Sequence, residues 1–381
     1  MFLRSLSYIR NAGTASEWKI QGSPKADEPL LFGNINLVIG QNATGKSNTL
    51  AALRDLADLV SGVRKIESLL YKTFDYMVLF ENNGTPISYR LVVDKGQVID
   101  ECLSVDGVER YNRKEKFMYY EQQSTNLEFE TSPEEIGVAR IDSKQQSYME
   151  PLYLWGRNLS HYEFGSSLGK NMLVRDLAMA VTENIKPRET EKVSAFFAKA
   201  IQQFANIQDV VISDMREIGY QLTEIKSSPL KNIPINGYGI AVKEEGLEDY
   251  TDQQEMSQGM FRALSIIIQI EYSLLANMPS CILIDDIGEG LDYERSQKLI
   301  TLIMEKASNN GLQVIMTTND RFVMNNIPLL YWHVINRTGN KSVFYNMQNS
   351  KQVFDEFSYT GLNNFDFFAD KFYLNGMEAF E

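Results

Sequence analysis

Apolar and polar positions alternate with changing period along this chain, and the changes mark its elements. Ile35-Asn36-Leu37-Val38-Ile39 is a mostly apolar run that reads as a buried strand. After Ser47, the apolar positions Leu50, Leu53, Leu56, Ala57 and Val60 recur at helical spacing. Phe2 to Tyr8 predicts an earlier strand, followed by a polar stretch through Ser23-Pro24-Lys25. Tyr76–Phe80, Ile87–Asp94 and Val98–Ser104 read as strands, with turns at Asn82-Asn83-Gly84, Lys95-Gly96 and Asp106-Gly107. Residues 71–130 are therefore expected to form a mostly antiparallel sheet.

From about Pro133 the pattern changes to helix. Leu173-Val174-Leu177-Ala178-Val181 and Val193-Phe196-Phe197-Ala200-Ile201-Phe204 have helical spacing, with a turn at Pro187–Glu191 between them. Strand-like segments return at Val210-Val211-Ile212, Gly219–Leu222 and Tyr238–Val242. An apolar helix follows at Ala263–Leu275, then a buried strand at Cys281–Asp286, and Tyr331–Ile335 reads as the last strand of the sheet. The expected class is α/β, with an antiparallel β subdomain and an inserted helical lobe. Four segments follow from these changes of character: 1–133, a helical insert at 134–205, 206–345, and a tail at 346–381.

Composition narrows the function classes. With 44% hydrophobic and 23% charged residues, the 381-residue chain has the make-up of a soluble globular protein. Two cysteines, Cys102 and Cys281, make no disulfide framework, which points to a reducing compartment. Two histidines, His161 and His333, stand in no metal-ligand spacing. The first residues lack the pattern of a signal peptide, and Ala263–Leu275 is too short to span a bilayer. A cytoplasmic protein with no membrane partner is expected. A net charge of −13 disfavours broad nucleic-acid binding but leaves room for a local basic groove.

The chemistry begins at Gly40-Gln41-Asn42-Ala43-Thr44-Gly45-Lys46-Ser47, which fits the P-loop pattern between its strand and its helix. The loop from Gly40 through Asn42, Ala43, Thr44 and Gly45 would curl backbone N–H groups toward phosphate oxygens at a helix start. Lys46 would reach the β- and γ-phosphates of ATP, and the Ser47 hydroxyl would ligate Mg²⁺. The strand Cys281–Asp286 ends in two carboxylates, a Walker B pattern. Asp285 would hold Mg²⁺, and Asp286 stands where a general base would polarise the attacking water. Upstream, Met256-Ser257-Gln258-Gly259 opens the apolar helix; alone, that triplet also fits an ordinary helix N-cap.

The order of P-loop, Met-Ser-Gln-Gly, Asp-Asp, Gly290-Leu291-Asp292 and Thr317-Thr318-Asn319-Asp320 resembles ABC-type ATPases, more narrowly the RecF/SMC/OLD-like branch. Asn48 after the P-loop and Ser257-Gln258-Gly259 carry the narrower likeness. The resemblance covers about 1–60 and 250–340, and the middle by layout. It implies an ABC-ATPase head that hydrolyses ATP with Mg²⁺. It further implies a self-association in which two heads sandwich ATP head to tail, as a homodimer or higher oligomer. Ser257 and the backbone at Gly259 would then contact the γ-phosphate held by another copy. Asn319 falls where many relatives carry a histidine, and Asp286 where they carry glutamate, one methylene longer. Both departures imply slow hydrolysis, since Asn319 can donate a hydrogen bond but cannot take a proton. Arg10-Asn11 sits where relatives place an arginine near the nucleotide. Gln122, Gln123, Gln145 and Gln146 are candidates for the family's glutamine loop.

Residues 354–381 hold nine aromatics interleaved with acids, among them Phe354, Phe357, Phe367, Phe372 and Tyr373. Part is expected to pack on the head and part to form a protein interface. No further carboxylate cluster follows the head, so an effector, a nuclease for instance, would be a separate chain. Heads of this layout resemble the ATPase subunits of bacterial anti-phage defence systems. The alternative is a RecF-like repair or recombination ATPase that binds duplex DNA.

Overall fold

The computed structural model describes residues 1–140, 142–183, 185–230, 237–278 and 281–377. The chain divides into two compact units, Met1–Leu159 with Ile327–Glu381, and Ser160–Asn326. The segment limits expected at 133, 205 and 345 follow local pattern, whereas these units follow long-range packing.

The first unit is built on a long sheet. Strand Phe2–Arg10 pairs antiparallel with Phe74–Asn82 on one side and Trp18–Gln21 on the other. From Phe74–Asn82 the antiparallel run continues through Thr85–Asp94, Gln97–Val105, Val108–Asn112, Phe117–Tyr120 and Thr125–Glu128. On the other flank Lys341–Asn346 pairs parallel with Trp18–Gln21 and antiparallel with Trp332–Thr338. Trp332–Thr338 in turn pairs parallel with Ile35–Ile39, the strand entering the P-loop. That strand is buried at every position, as a strand covered on both faces must be.

Helix Lys46–Val60 buries Leu50, Leu53, Leu56, Ala57 and Val60, the positions its period marks. The Tyr76 hydroxyl donates to Ala52 O at 2.8 Å and fastens the helix to the sheet. The aromatic tail forms helices Lys351–Ser358, Asn364–Ala369 and Phe372–Asn375. Phe354, Phe357, Phe367, Phe372 and Tyr373 are buried, and the Phe367 ring meets Trp332 edge-on at 6.3 Å. Much of the tail is thus core. The expected surface share includes Tyr359, which is 89% exposed, while Phe380 lies outside the described residues.

In the second unit, strands Ser160–Glu163 and Gln313–Thr318 flank Cys281–Asp285, all parallel. A separate antiparallel sheet joins Leu222–Pro229, Tyr238–Glu244 and Thr251–Asp252. Helix Gln258–Leu275 is buried at every residue from Gly259 to Ser273, so it is the central helix of this unit.

Three local expectations change. Val210–Ile212 lies in a helix, Ile207–Glu217, which buries Ile207, Val211, Asp214 and Met215. That spacing is one helical face, and it outweighs the strand preference of three adjacent β-branched residues. The helix expected over 173–181 is confined to Leu177–Thr182, because Val174 makes a β-bridge with Tyr238 instead. Strand Ser160–Glu163 lies inside the segment read as helical, and at four residues it is too short to show a period.

Candidate functional site

The expected phosphate loop, Gly40–Ser47, belongs to the first unit. Ala43 (φ +63°) and Gly45 (φ +113°) are both left-handed, which curls the backbone around Thr44 and opens the helix at Lys46. Packing also demands these glycines. A Cβ on Gly40 would lie 2.6 Å from Ile335 O, and one on Gly45 would lie 2.6 Å from Ser342 Oγ.

The loop is held from behind by residues far away in sequence. Trp18 Nε1 donates to Ser342 Oγ at 2.9 Å, and Ser342 Oγ donates to Thr44 O at 2.6 Å. Arg337 Nη1 donates to Ala43 O at 3.3 Å. Arg10 stacks its guanidinium 5.0 Å from the Trp18 ring and 3.9 Å from the Tyr71 ring. Trp18 itself comes within 3.1 Å of the place a Gly45 Cβ would take, so Arg10 is brought toward the loop through Trp18. Lys46 is buried and arches over its own loop, with Nζ 2.8 Å from Gly40 O and 3.2 Å from Gln41 O. Asn42, Ser47 and Asn48 are exposed.

The second unit carries the paired carboxylates Asp285 and Asp286 and the segment Ser257–Gly259. Asp285 ends its strand half-buried, and Thr317 Oγ1 donates to its carboxylate at 2.5 Å. The same Thr317 oxygen accepts from Asp286 N at 2.9 Å, so one hydroxyl spans both acids. Asp286 is left-handed at φ +54°, and Asn319 Nδ2 lies 3.4 Å from its carboxylate. Asp and Asn tolerate that conformation better than larger residues, a physical reason for aspartate here.

Ser257 is exposed and N-caps the central helix, its hydroxyl accepting from Met260 N at 3.2 Å. The N-cap role foreseen for this triplet is therefore present. Gly259 is buried, and a Cβ there would stand 2.6 Å from Gly290 O. Gly290 is left-handed at φ +80°, in the turn that leads to Asp292. Asp292 caps helix Tyr293–Asn310, accepting from Arg295 N at 3.0 Å, and this bond heads the causes that lower its carboxyl pKa.

Several residues around the site escaped the sequence reading. Arg262 is the clearest: it is 5% exposed and donates to Ser166 O at 3.0 Å, Gly165 O at 2.8 Å and Glu289 O at 2.7 Å. An arginine next to the apolar run of this helix was the available signal. Glu163, exposed, stands opposite Asp285 in parallel register, on a strand too short to be read. The candidate glutamines lie elsewhere: Gln122 and Gln145 bond each other at 3.0 Å in the first unit, Gln123 is exposed and Gln146 is buried.

The head domain of an SMC protein bound to the C-terminal winged-helix domain of ScpA superposes with a TM-score of 0.54. It is 14% identical and covers 92% of this chain and 100% of its own. This is the fold of an SMC-type ABC-ATPase head. A second SMC head, with an extended coiled coil and bound to the C-terminal domain of ScpA from Pyrococcus furiosus, gives 0.51 at 14% identity. It covers 94% of this chain and 99% of its own. Among characterised sequences, a Helicobacter pylori protein named ATP/GTP phosphatase is 22% identical over 333 residues, 76% of this chain and 80% of the relative. No family model matches the chain. Among the described residues, no helix is long and apolar enough to cross a membrane.

Proposed function

We propose that this chain is an ATP-hydrolysing head of the SMC-like ABC type, acting as half of an ATP-sandwiched pair that signals to a separate protein. The phosphate loop carries the reading: a left-handed curl between a buried strand and a helix, braced through Trp18 and Ser342, with Lys46 aimed into it. The name of the Helicobacter pylori relative, ATP/GTP phosphatase, supports the same activity.

On this reading, backbone N–H groups of Asn42 to Lys46 and the Lys46 ammonium hold the phosphates. The donors assigned to Mg²⁺, the Ser47 hydroxyl and the Asp285 carboxylate, are hard oxygens, the set that ion prefers alongside phosphate and water. When bound, Mg²⁺ supplies charge neutralisation on the phosphate oxygens. Asp286 takes a proton from the attacking water, and Asn319 steadies its carboxylate by donation. The short Asp286 side chain favours slow turnover. A single-turnover rate in the ordinary enzyme range, about 1–10³ s⁻¹, would rule that slowness out.

On the same reading, exposed Ser257 and the backbone at the start of its helix contact the nucleotide of a second copy. A protein partner is supported by the ScpA-bound state of both similar heads. The effector's nature and a place in anti-phage defence rest on the family resemblance alone. The test is ATP turnover measured with sedimentation, comparing wild type with Lys46→Ala and Ser257→Arg. ATP-dependent association that survives Ser257→Arg would sink the sandwiched pair, and turnover that survives Lys46→Ala would sink the ATPase. Tight, salt-sensitive and ATP-dependent duplex binding would favour the RecF-like alternative instead.

A further inference from the structure

A cavity of about 610 Å³ lies in the first unit at the far end of the phosphate-loop helix. Small-molecule pockets typically measure roughly 300–1,000 Å³. Its floor is apolar: Leu59 from the last turn of the helix, with Ile66, Ile136 and Ala139. Its rim is basic in a chain of net charge −13, with Arg64, Lys65, Lys72, Lys95 and Arg140 set against Glu67, Glu134 and Glu135.

The cations differ in availability. Arg140 pairs with Glu135, and Arg64 with Asp55 and Asp58. The Lys72 ammonium is clasped by the carbonyls of Ile66, Glu67 and Leu69, and among the described residues no carboxylate pairs with it. Lys65 and Lys95 make no ion pair among the described residues, and both are exposed.

Two further features make the cavity compatible with an anion and fix its shape. The carbonyls at the negative end of the helix are already taken: Gly62 N donates to Leu59 O at 3.0 Å, and Val63 N and Arg64 N share Asp58 O at 3.0 and 3.2 Å. The wall at 136–139 is fixed by buried Glu101, which accepts from Gly137 N at 2.8 Å and Val138 N at 3.1 Å and from the Tyr89 and Tyr111 hydroxyls. The pocket is thus formed in advance. A continuous phosphate backbone suits it poorly, because Glu67 and Glu134 interrupt the row of cations on the same rim.

We propose that this cavity binds a compact organic anion with an apolar body, an aryl or short acyl phosphate or carboxylate. The anionic head is held by Lys65 and Lys95, and the body rests on Leu59, Ile66 and Ile136. The test uses 1-naphthyl phosphate as probe, by calorimetry on the full chain without ATP. A Lys46→Ala background removes competition from the phosphate loop. One saturable site is expected. The Lys65→Glu/Lys95→Glu pair should weaken it at least about tenfold, the loss of two charge-assisted contacts. Ala139→Phe, which fills the cavity, should remove it. Circular dichroism checks that each variant folds, and the charge-reversal pair, being on the surface, keeps the test sound if Ala139→Phe does not. Absent saturable binding, or binding equal in parent and charge-reversal variant, overturns the proposal. So does a result in which a 20-base-pair duplex, and not the probe, binds and is lost on charge reversal; the rim is then a nucleic-acid surface.

Discussion

Arg262 donates to Glu289 O at 2.7 Å, tying the helix that opens at Ser257 to the turn that ends at Gly290. The same guanidinium holds Gly165 O and Ser166 O, just past the strand that flanks Asp285. One side chain therefore fixes the helix that opens at Ser257, the Gly290 turn and the edge-strand loop as a set.

Arg262→Ala should leave three carbonyls short of a donor and cost about 3 kcal/mol of stability, since each hydrogen bond to a charged group contributes roughly 1.5–3 kcal/mol and such losses do not add fully. Urea unfolding measures the stability. On the proposed function, kcat should fall more than apparent ATP affinity, because Arg262 positions the helix that opens at Ser257. Equal losses in both would argue for general unfolding.

Gly259→Ala places a Cβ 2.6 Å from Gly290 O, a contact that backbone must relieve. A cost of about 1–3 kcal/mol is expected, as for other overpacked positions. Ser257→Ala, which removes only the cap, should cost about 1 kcal/mol. Ser257→Arg should spare nucleotide binding and stop ATP-driven association. Chemical denaturation and sedimentation with a non-hydrolysable ATP analogue distinguish the three.

Lys46→Ala and Asp286→Asn should fail at different steps. Loss of the Lys46 ammonium is expected to weaken ATP binding by about a hundredfold, the scale of charged hydrogen bonds. Asp286→Asn should keep ATP binding and lower kcat by about 10²–10⁴, the usual share of a general base. Fluorescent ATP titration and single-turnover phosphate release measure the two effects. Full hydrolysis by Asp286→Asn would move the base elsewhere.

Stability should depend on pH through a buried triad in the second unit. Lys306 Nζ lies 3.0 Å from Asp214 and 2.7 Å from Glu271, joining three helices. Burial pushes the Asp214 carboxyl up to about 6 from its usual 3.8. The folded state then binds this proton more tightly than the unfolded chain. The contribution is full below about pH 4 and is lost as pH rises through 6. Buried His333, held between Asn36 and Asn346, runs the other way. Burial lowers it to about 4, so folding loses stability as pH falls from 6.5 toward 4. The difference between wild type and Asp214→Asn in urea unfolding at pH 5, 6 and 7 isolates the first effect. Wild type should gain stability relative to the variant as pH is lowered, and parallel curves would refute the assignment.

Some of the molecule was legible in the chain before any folding. Gly40–Ser47 reads as a phosphate loop because that motif rests on local backbone, and the fold has its left-handed residues, the strand before and the helix after. The paired acids at 285 and 286 were legible for the same reason, as polar residues ending an apolar strand. The antiparallel strands between 74 and 105 were legible as strand-like runs bounded by turn residues, and the alternation of their buried positions appears in the fold. Val210–Ile212 misled, since three residues hold too little period to outvote β-branched composition.

What tertiary structure alone decided is everything that depends on residues distant in sequence. Ser342 braces Thr44 across 298 positions, and Trp18 reaches Ser342 across 324. Gly259 is required by the approach of Gly290, and Glu163 stands beside Asp285 through a parallel register that no local pattern encodes. A motif specifies the conformation of its own backbone, whereas the partners that hold it in place are chosen by which surfaces the folded chain brings within hydrogen-bond reach.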